Sequence, residues 1–176
     1  MAIINTVKPE EAEGDVKRVF DAMQNRIGMI PAPMALASVS PFLMKANWQS
    51  IEFYTQHPRL SFGLLSTIRY LVAQKLDYAF CTNFNKNFLK LQGMTDEDIE
   101  KVTNDPSKAP LEDKERRMAA FVMKAIDTPD DVDSEDMDQL REHGWQDSDI
   151  MEALAHGTSM IGASILMKAF KTDVAC

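Results

Sequence analysis

The stretch LREHGWQDSDIMEALAHGTSMIGASILMKAF, Leu140 to Phe170, reads as a turn followed by one long helix. Gly144 stops the helix before it, and Asp147 is placed to cap the next. Ile150, Leu154, Ile161 and Ile165 then share one face at steps that suit a 3.6-residue turn. Ala153, Met160, Ala163 and Met167 make a second apolar face. A helix apolar on two faces is expected to pack one of them in its own chain and the other on a neighbour, so self-association is expected.

The same period runs outward from this helix toward the N-terminus. Ser134 is read as the cap of a short helix carrying Met137 and Leu140. Before it, Leu111 to Ile126 places Met118, Phe121, Val122 and Ala125 on one face and closes at Pro129. Thr95 with Asp98 opens an acidic helix as a capping box in which Asp takes the usual place of Glu. Gly93 is a plausible left-handed cap for a helix bearing Phe84, Phe88 and Leu91. Leu64, Leu65, Ile68, Leu71 and Val72 belong to a strongly apolar helix after Ser61. Ser40 and Pro41 start a helix running toward Thr55, and Val16, Val19, Phe20, Met23 and Ile27 line one that ends at Gly28. No segment alternates as a strand would, and no repeat or low-complexity linker interrupts the chain. The expected architecture is all-α, helix packed on helix, in one domain spanning residues 1–176.

Composition excludes several classes of function. The chain has 176 residues, a formal net charge of -8 and a sequence pI near 4.9, so phosphate backbones and anionic membranes are not expected partners. Two cysteines, Cys81 and Cys176, do not make a secreted disulfide framework, and a bridge between them would need the tail to fold back. The N-terminus lacks the pattern of a signal peptide, and no run of about eighteen apolar residues suggests a membrane span, so a cytoplasmic location is expected. Twelve methionines suit either a plain core or an adaptable interface.

Two stretches carry a family resemblance. In Leu140 to Phe170, a Leu-Arg pair leads through a glycine turn and an acidic cap into a long helix of small apolar residues. In Leu64 to Gly93, LLSTIRYLVAQKLDYAFCTNFNKNFLKLQG, followed by MTDEDIEKV, the order is helix, cysteine turn, helix, glycine and acidic cap. Together with Gly28, Pro31 and Pro41, these resemble the carboxymuconolactone decarboxylase / alkyl hydroperoxide reductase D superfamily, and in particular its peroxidase-related branch. The resemblance implies an oligomer-forming alkyl hydroperoxide reductase D-like helical bundle, with trimers, hexamers or dimers expected. It also implies an antioxidant oxidoreductase that reduces hydroperoxides through a thiol couple and needs no cofactor.

The family's hairpin carries a Glu, a Cys-x-x-Cys and a His four residues past the second Cys. A base takes the thiol proton, and a second thiol resolves the sulfenic acid. Laid on this chain, that pattern puts the glutamate on Ser66, the first cysteine on Tyr78, the second on Cys81 and the histidine on Asn85. Neither Ser66 nor Asn85 accepts a proton at neutral pH. The lactone chemistry of the decarboxylase branch would need the same Glu and His. Activity is therefore expected to be weak or lost.

Two classes of function stay open from the sequence, beside a third possibility, a different reaction built on Tyr78, Asn85 and His156, which requires those side chains to converge. In one, Cys81 attacks a peroxide and an external thiol resolves it. In the other, a non-catalytic small-molecule-binding or assembly protein keeps the fold. His156 reads either as a hydrogen-bonded or interfacial histidine or as a replacement base; His57 lies in a loop and His143 in a last helical turn. The polar run Thr82, Asn83, Asn85 and Asn87 reads either as a solvated face or as a pocket lining shared with Tyr78. No spacing suggests a metal site.

Overall fold

A computed structural model of the chain describes residues 2–173, so Cys176 and any bridge to it lie outside the described residues. The described residues form helices and turns with no strand, and they fall into two compact units, 2–57 with 165–173, and Pro58–Ser164.

The first unit holds α1 (Gly14–Ile27), α2 (Ala32–Ala37) and α3 (Pro41–Thr55). Val16, Val19, Phe20 and Met23 of α1 pack with Met34, Met44 and Trp48 into one apolar core. Gly28 terminates α1 in the left-handed conformation, where a residue with a Cβ would be strained. Ser40 caps α3 by accepting from the Leu43 amide, and Pro41 fills the first turn, where its missing N–H costs nothing.

The second unit is organised on a hairpin of α4 (Phe62–Lys75) and α5 (Ala79–Leu91). Ser61 caps α4 through the Leu64 amide. Asp77 turns the chain at φ 49°, a left-handed conformation that Asp tolerates better than most residues, and the Tyr78 amide returns to the Ala73 carbonyl at 2.9 Å. The short α6 (Asp96–Asn104) opens on the expected Thr95–Asp98 capping box. Ile99 and Val102 of α6 then close over Tyr70, Leu71 and Leu89 in a second core.

The helices α7 (Asp113–Asp127), α8 (Ser134–Glu142) and α9 (Asp147–Ala169) differ from the sequence expectation in three places. Glu112 rather than Leu111 precedes the first turn of α7, making a reciprocal box with Glu115. Asp133 rather than Ser134 caps α8, because its carboxylate accepts from the amides of both Glu135 and Asp136. A carboxylate can serve two such donors at once, so it outcompetes the neighbouring hydroxyl. At the start of α9, Asp147 is the first helical residue, and the Asp149 carboxylate accepts from the Gln146 amide at 2.8 Å.

The sequence left open which face of α9 is buried. Ala153, His156, Met160 and Met167 are buried, whereas Ile165 is 63% exposed. Gly157 explains the choice: a Cβ there would stand 2.7 Å from Cγ1 of Val122 and 3.3 Å from Cγ2 of Ile68. Close approach to α4 and α7 selects the face with the small residues, and the branched Ile165 is left outside. By length and composition α9 would be able to cross a membrane.

Candidate functional site

In the second unit the hairpin's polar residues converge on Arg69, a side chain that the motif comparison did not single out. Arg69 follows Ser66 by three residues, so both lie on the same face of α4. Its Nη2 donates to Ser66 Oγ at 3.0 Å, and its Nε donates to Asn85 Oδ1 across the hairpin at 2.7 Å. From α9, His156 brings Nε2 to 3.1 Å from Nη1. Asn85 spends its other end on its own helix, donating from Nδ2 to the Cys81 carbonyl at 2.9 Å.

Ser66, Tyr78, Cys81, Asn85 and His156 are all buried. Asn85 is thus separated from the polar run to which it belongs in sequence: Thr82 and Asn83 are half-buried and Asn87 is exposed, while Asn85 faces inward. Cys81 sits in the first turn of α5, three residues past its N-cap, Tyr78. Two of the motif positions, Ser66 and Asn85, together with His156 of α9, therefore contact one guanidinium.

The electrostatics of the group are unusual because each of these contacts is to a neutral acceptor. Among the described residues no carboxylate lies within ion-pair distance of Arg69. Arg69 itself is half-buried. Burial lowers its pKa to about 10, and a negative charge on Cys81 would oppose that shift. It remains a cation at neutral pH. His156 moves the same way, its pKa pushed down to about 3 by burial and then by the adjacent guanidinium. The imidazole is neutral under ordinary conditions.

An aromatic row flanks the cation. Phe62 places its ring 5.9 Å from the Arg69 Cζ and meets Phe88 edge to face at 5.2 Å. Phe88 contacts Phe84 at 4.7 Å, and Phe84 stacks on Phe80 at 5.5 Å. Phe62 is half exposed and Phe80 is buried, so the row runs from the surface inward. The signal for Arg69 was present in the sequence: a single cation in the apolar run LLSTIRYLVA implies a buried charge with arranged partners.

Together, the helix order and the α4–α5 hairpin define an all-helical fold of the alkylhydroperoxidase AhpD core type. The chain resembles the crystal structure of an alkylhydroperoxidase AhpD core, an uncharacterized peroxidase-related protein from Ralstonia eutropha JMP134. The TM-score is 0.82 at 16% identity, over 97% of this chain and 90% of that one. An uncharacterized peroxidase-related protein from Silicibacter sp. TM1040 is similar at a TM-score of 0.80 and 17% identity, with coverages of 97% and 90%. At such identities the likeness shows the fold. No protein-family model and no curated protein matches the sequence.

Proposed function

We propose that the chain is a member of the carboxymuconolactone decarboxylase / alkyl hydroperoxide reductase D-like superfamily in which thiol-dependent peroxide reduction is weak or lost. On this reading the hairpin serves instead as a small-molecule binding site. The observation that carries the proposal is the arrangement of Ser66, Asn85 and His156 around Arg69. Peroxide reduction by Cys81 needs a group to take the thiol proton and a second thiol to resolve the sulfenic acid. The glutamate and histidine positions hold side chains that cannot take the proton, and the first-cysteine position holds Tyr78. His156 has a basic nitrogen, but that nitrogen is turned to a cation that only donates.

Self-association belongs to the same proposal. Met151, Ala155, Thr158, Gly162, Ile165 and Ala169 are exposed along α9 at alternating steps of four and three. That spacing gives a straight seam suited to a second helix, with small residues at its centre permitting close approach. A second copy of the chain is the proposed occupant, in a trimer, hexamer or dimer.

Thiol labelling of a Cys176→Ser variant across a pH series tests the proposal. Cys81 is expected to stay unreactive below about pH 8 in the native state, where it is buried and has no base to take its proton. Fast labelling at neutral pH, lost on unfolding, would favour instead a one-cysteine oxidoreductase with an external thiol as reductant.

A further inference from the structure

We propose that the pocket between the start of α7 and the α8–α9 turn is a site for free hydrogen phosphate, held by Lys114 and His143 beside Trp145. It lies outside the α4–α5 hairpin and stands independently of what Cys81 does.

The cavity measures about 280 Å³ and is lined by Pro58, Arg59, Lys114, His143, Gly144 and Trp145. Arg59, Lys114 and Gly144 are exposed, so it opens to solvent, and its size falls just under the ~300–1,000 Å³ of pockets that take larger organic ligands. Trp145 is buried and fixes the basic groups around it. Its Nε1 donates to the Lys114 carbonyl at 3.0 Å, and Arg59 Cζ and Lys114 Nζ stand 5.8 and 5.7 Å from its ring. Three basic side chains thus share one pocket in a chain of net charge -8. That net charge repels extended polyanions, but salt screens it beyond ~8 Å, and within the pocket the local groups decide. Lys114 lies in the first turn of α7, where the helix dipole disfavours a cation, so helix stability does not account for it.

Hydrogen-bond chemistry selects the anion. Arg59 commits its Nε to the Asp149 carboxylate at 2.6 Å and Nη2 to the Gly144 carbonyl, so the edge that would pair side-on with a planar carboxylate is occupied. Lys114 is a point charge with three donors, and its ion pair with Glu112, at 3.3 Å, is solvent-exposed and weak. His143 offers the opposite polarity. Its Nδ1 is 2.7 Å from the Gln139 carbonyl, which only accepts, so the proton of the neutral ring rests there and Nε2 is an acceptor. Asp113 Oδ2 is 3.7 Å from Nε2, beyond hydrogen bonding, and is itself held by Arg117, with Arg116 on the other carboxylate oxygen. The pocket therefore presents a donor from Lys114 and an acceptor from His143. Hydrogen phosphate titrates near neutrality and matches both: its charged oxygens accept from Lys114, and its hydroxyl donates to Nε2. Sulfate and acetate carry no proton at neutral pH, and either would set an acceptor against Nε2.

The test is titration of the full chain with inorganic phosphate at about pH 7.5, following the His143 ring signals and the Trp145 indole N–H by NMR. Sulfate and acetate at matched ionic strength are the comparisons. The expected result is saturable one-to-one binding that shifts both residues and leaves the Trp48 indole signal in place. Sulfate and acetate should bind at least about fivefold more weakly. Lys114→Gln should weaken phosphate by about tenfold or more, ~1.4 kcal/mol, and His143→Phe should bring phosphate down to the level of sulfate. Lys114 is exposed, so its variant is expected to fold; if His143→Phe does not, the sulfate comparison on the native chain decides. Three results would overturn the proposal: no saturation by phosphate, equal affinity for phosphate and sulfate in the native chain, or undiminished binding in Lys114→Gln. None of these measurements involves the hairpin or peroxide, so failure here leaves the loss of peroxide chemistry to stand or fall on its own assay.

Discussion

Nη1 of Arg69 lies 3.1 Å from Nε2 of His156, and this contact fixes the tautomer of the imidazole. The guanidinium only donates, so Nε2 accepts and the ring proton rests on Nδ1. The imidazole that faces the hairpin is thereby committed to orienting a cation.

One consequence is a defined dependence of stability on pH. The folded chain holds His156 near 3, against an ordinary value of 6.5. Between those limits the unfolded chain binds more protons, so stability from this group is complete above about pH 6.5 and is lost as pH falls toward 3. The loss proceeds by at most ~1.4 kcal/mol per pH unit. In NMR titration the His156 ring signals should stay unchanged from pH 8 to about pH 5. The variant His156→Gln keeps an acceptor for Arg69, so it should lose the histidine part of the pH slope while staying within about 1 kcal/mol of the native stability at neutral pH.

Packing of α9 gives a second expectation. Gly157→Ala would set a methyl group 2.7 Å from Cγ1 of Val122. Chemical denaturation should register a loss of about 1–3 kcal/mol. Val122→Ala costs stability alone, yet in the double variant the two losses should sum to less than their separate values, because the space vacated at 122 receives the new methyl.

The exposed seam of α9 supplies a third. Ile165→Lys places a charge on that seam without touching the buried face. Analytical ultracentrifugation should find the native chain associated and the variant shifted toward monomer, with helix content unchanged by circular dichroism. A native chain that sediments as a monomer at micromolar concentration would dispose of the seam as an interface.

Much of the fold was legible because it rests on local signals. The starts at Ser40 and Ser61, the stop at Gly28 and the Thr95–Asp98 box each depend on residues a few positions apart, and the structure contains all of them. The buried face of α9 was not legible from period alone. Both faces are apolar, and the decision came from Gly157 meeting side chains of α4 and α7, distant in sequence. The candidate site was half legible. The motif drew attention to Ser66 and Asn85, and His156 stood out among the three histidines, but neither pointed to the cation they surround, since a family pattern marks the positions it contains and Arg69 is not one of them. Asp133 displaced Ser134 as a cap for a subtler reason, a contest between two good capping residues one position apart.

The central claim is that thiol-dependent peroxide reduction by Cys81 is weak or lost in this chain. Hydrogen peroxide and an organic hydroperoxide, each followed at neutral pH with excess dithiothreitol, test it most directly when the native chain is compared with Cys81→Ser. The account expects both proteins to leave the rate at that of the reductant alone. Sustained turnover by the native chain that disappears in Cys81→Ser would contradict it.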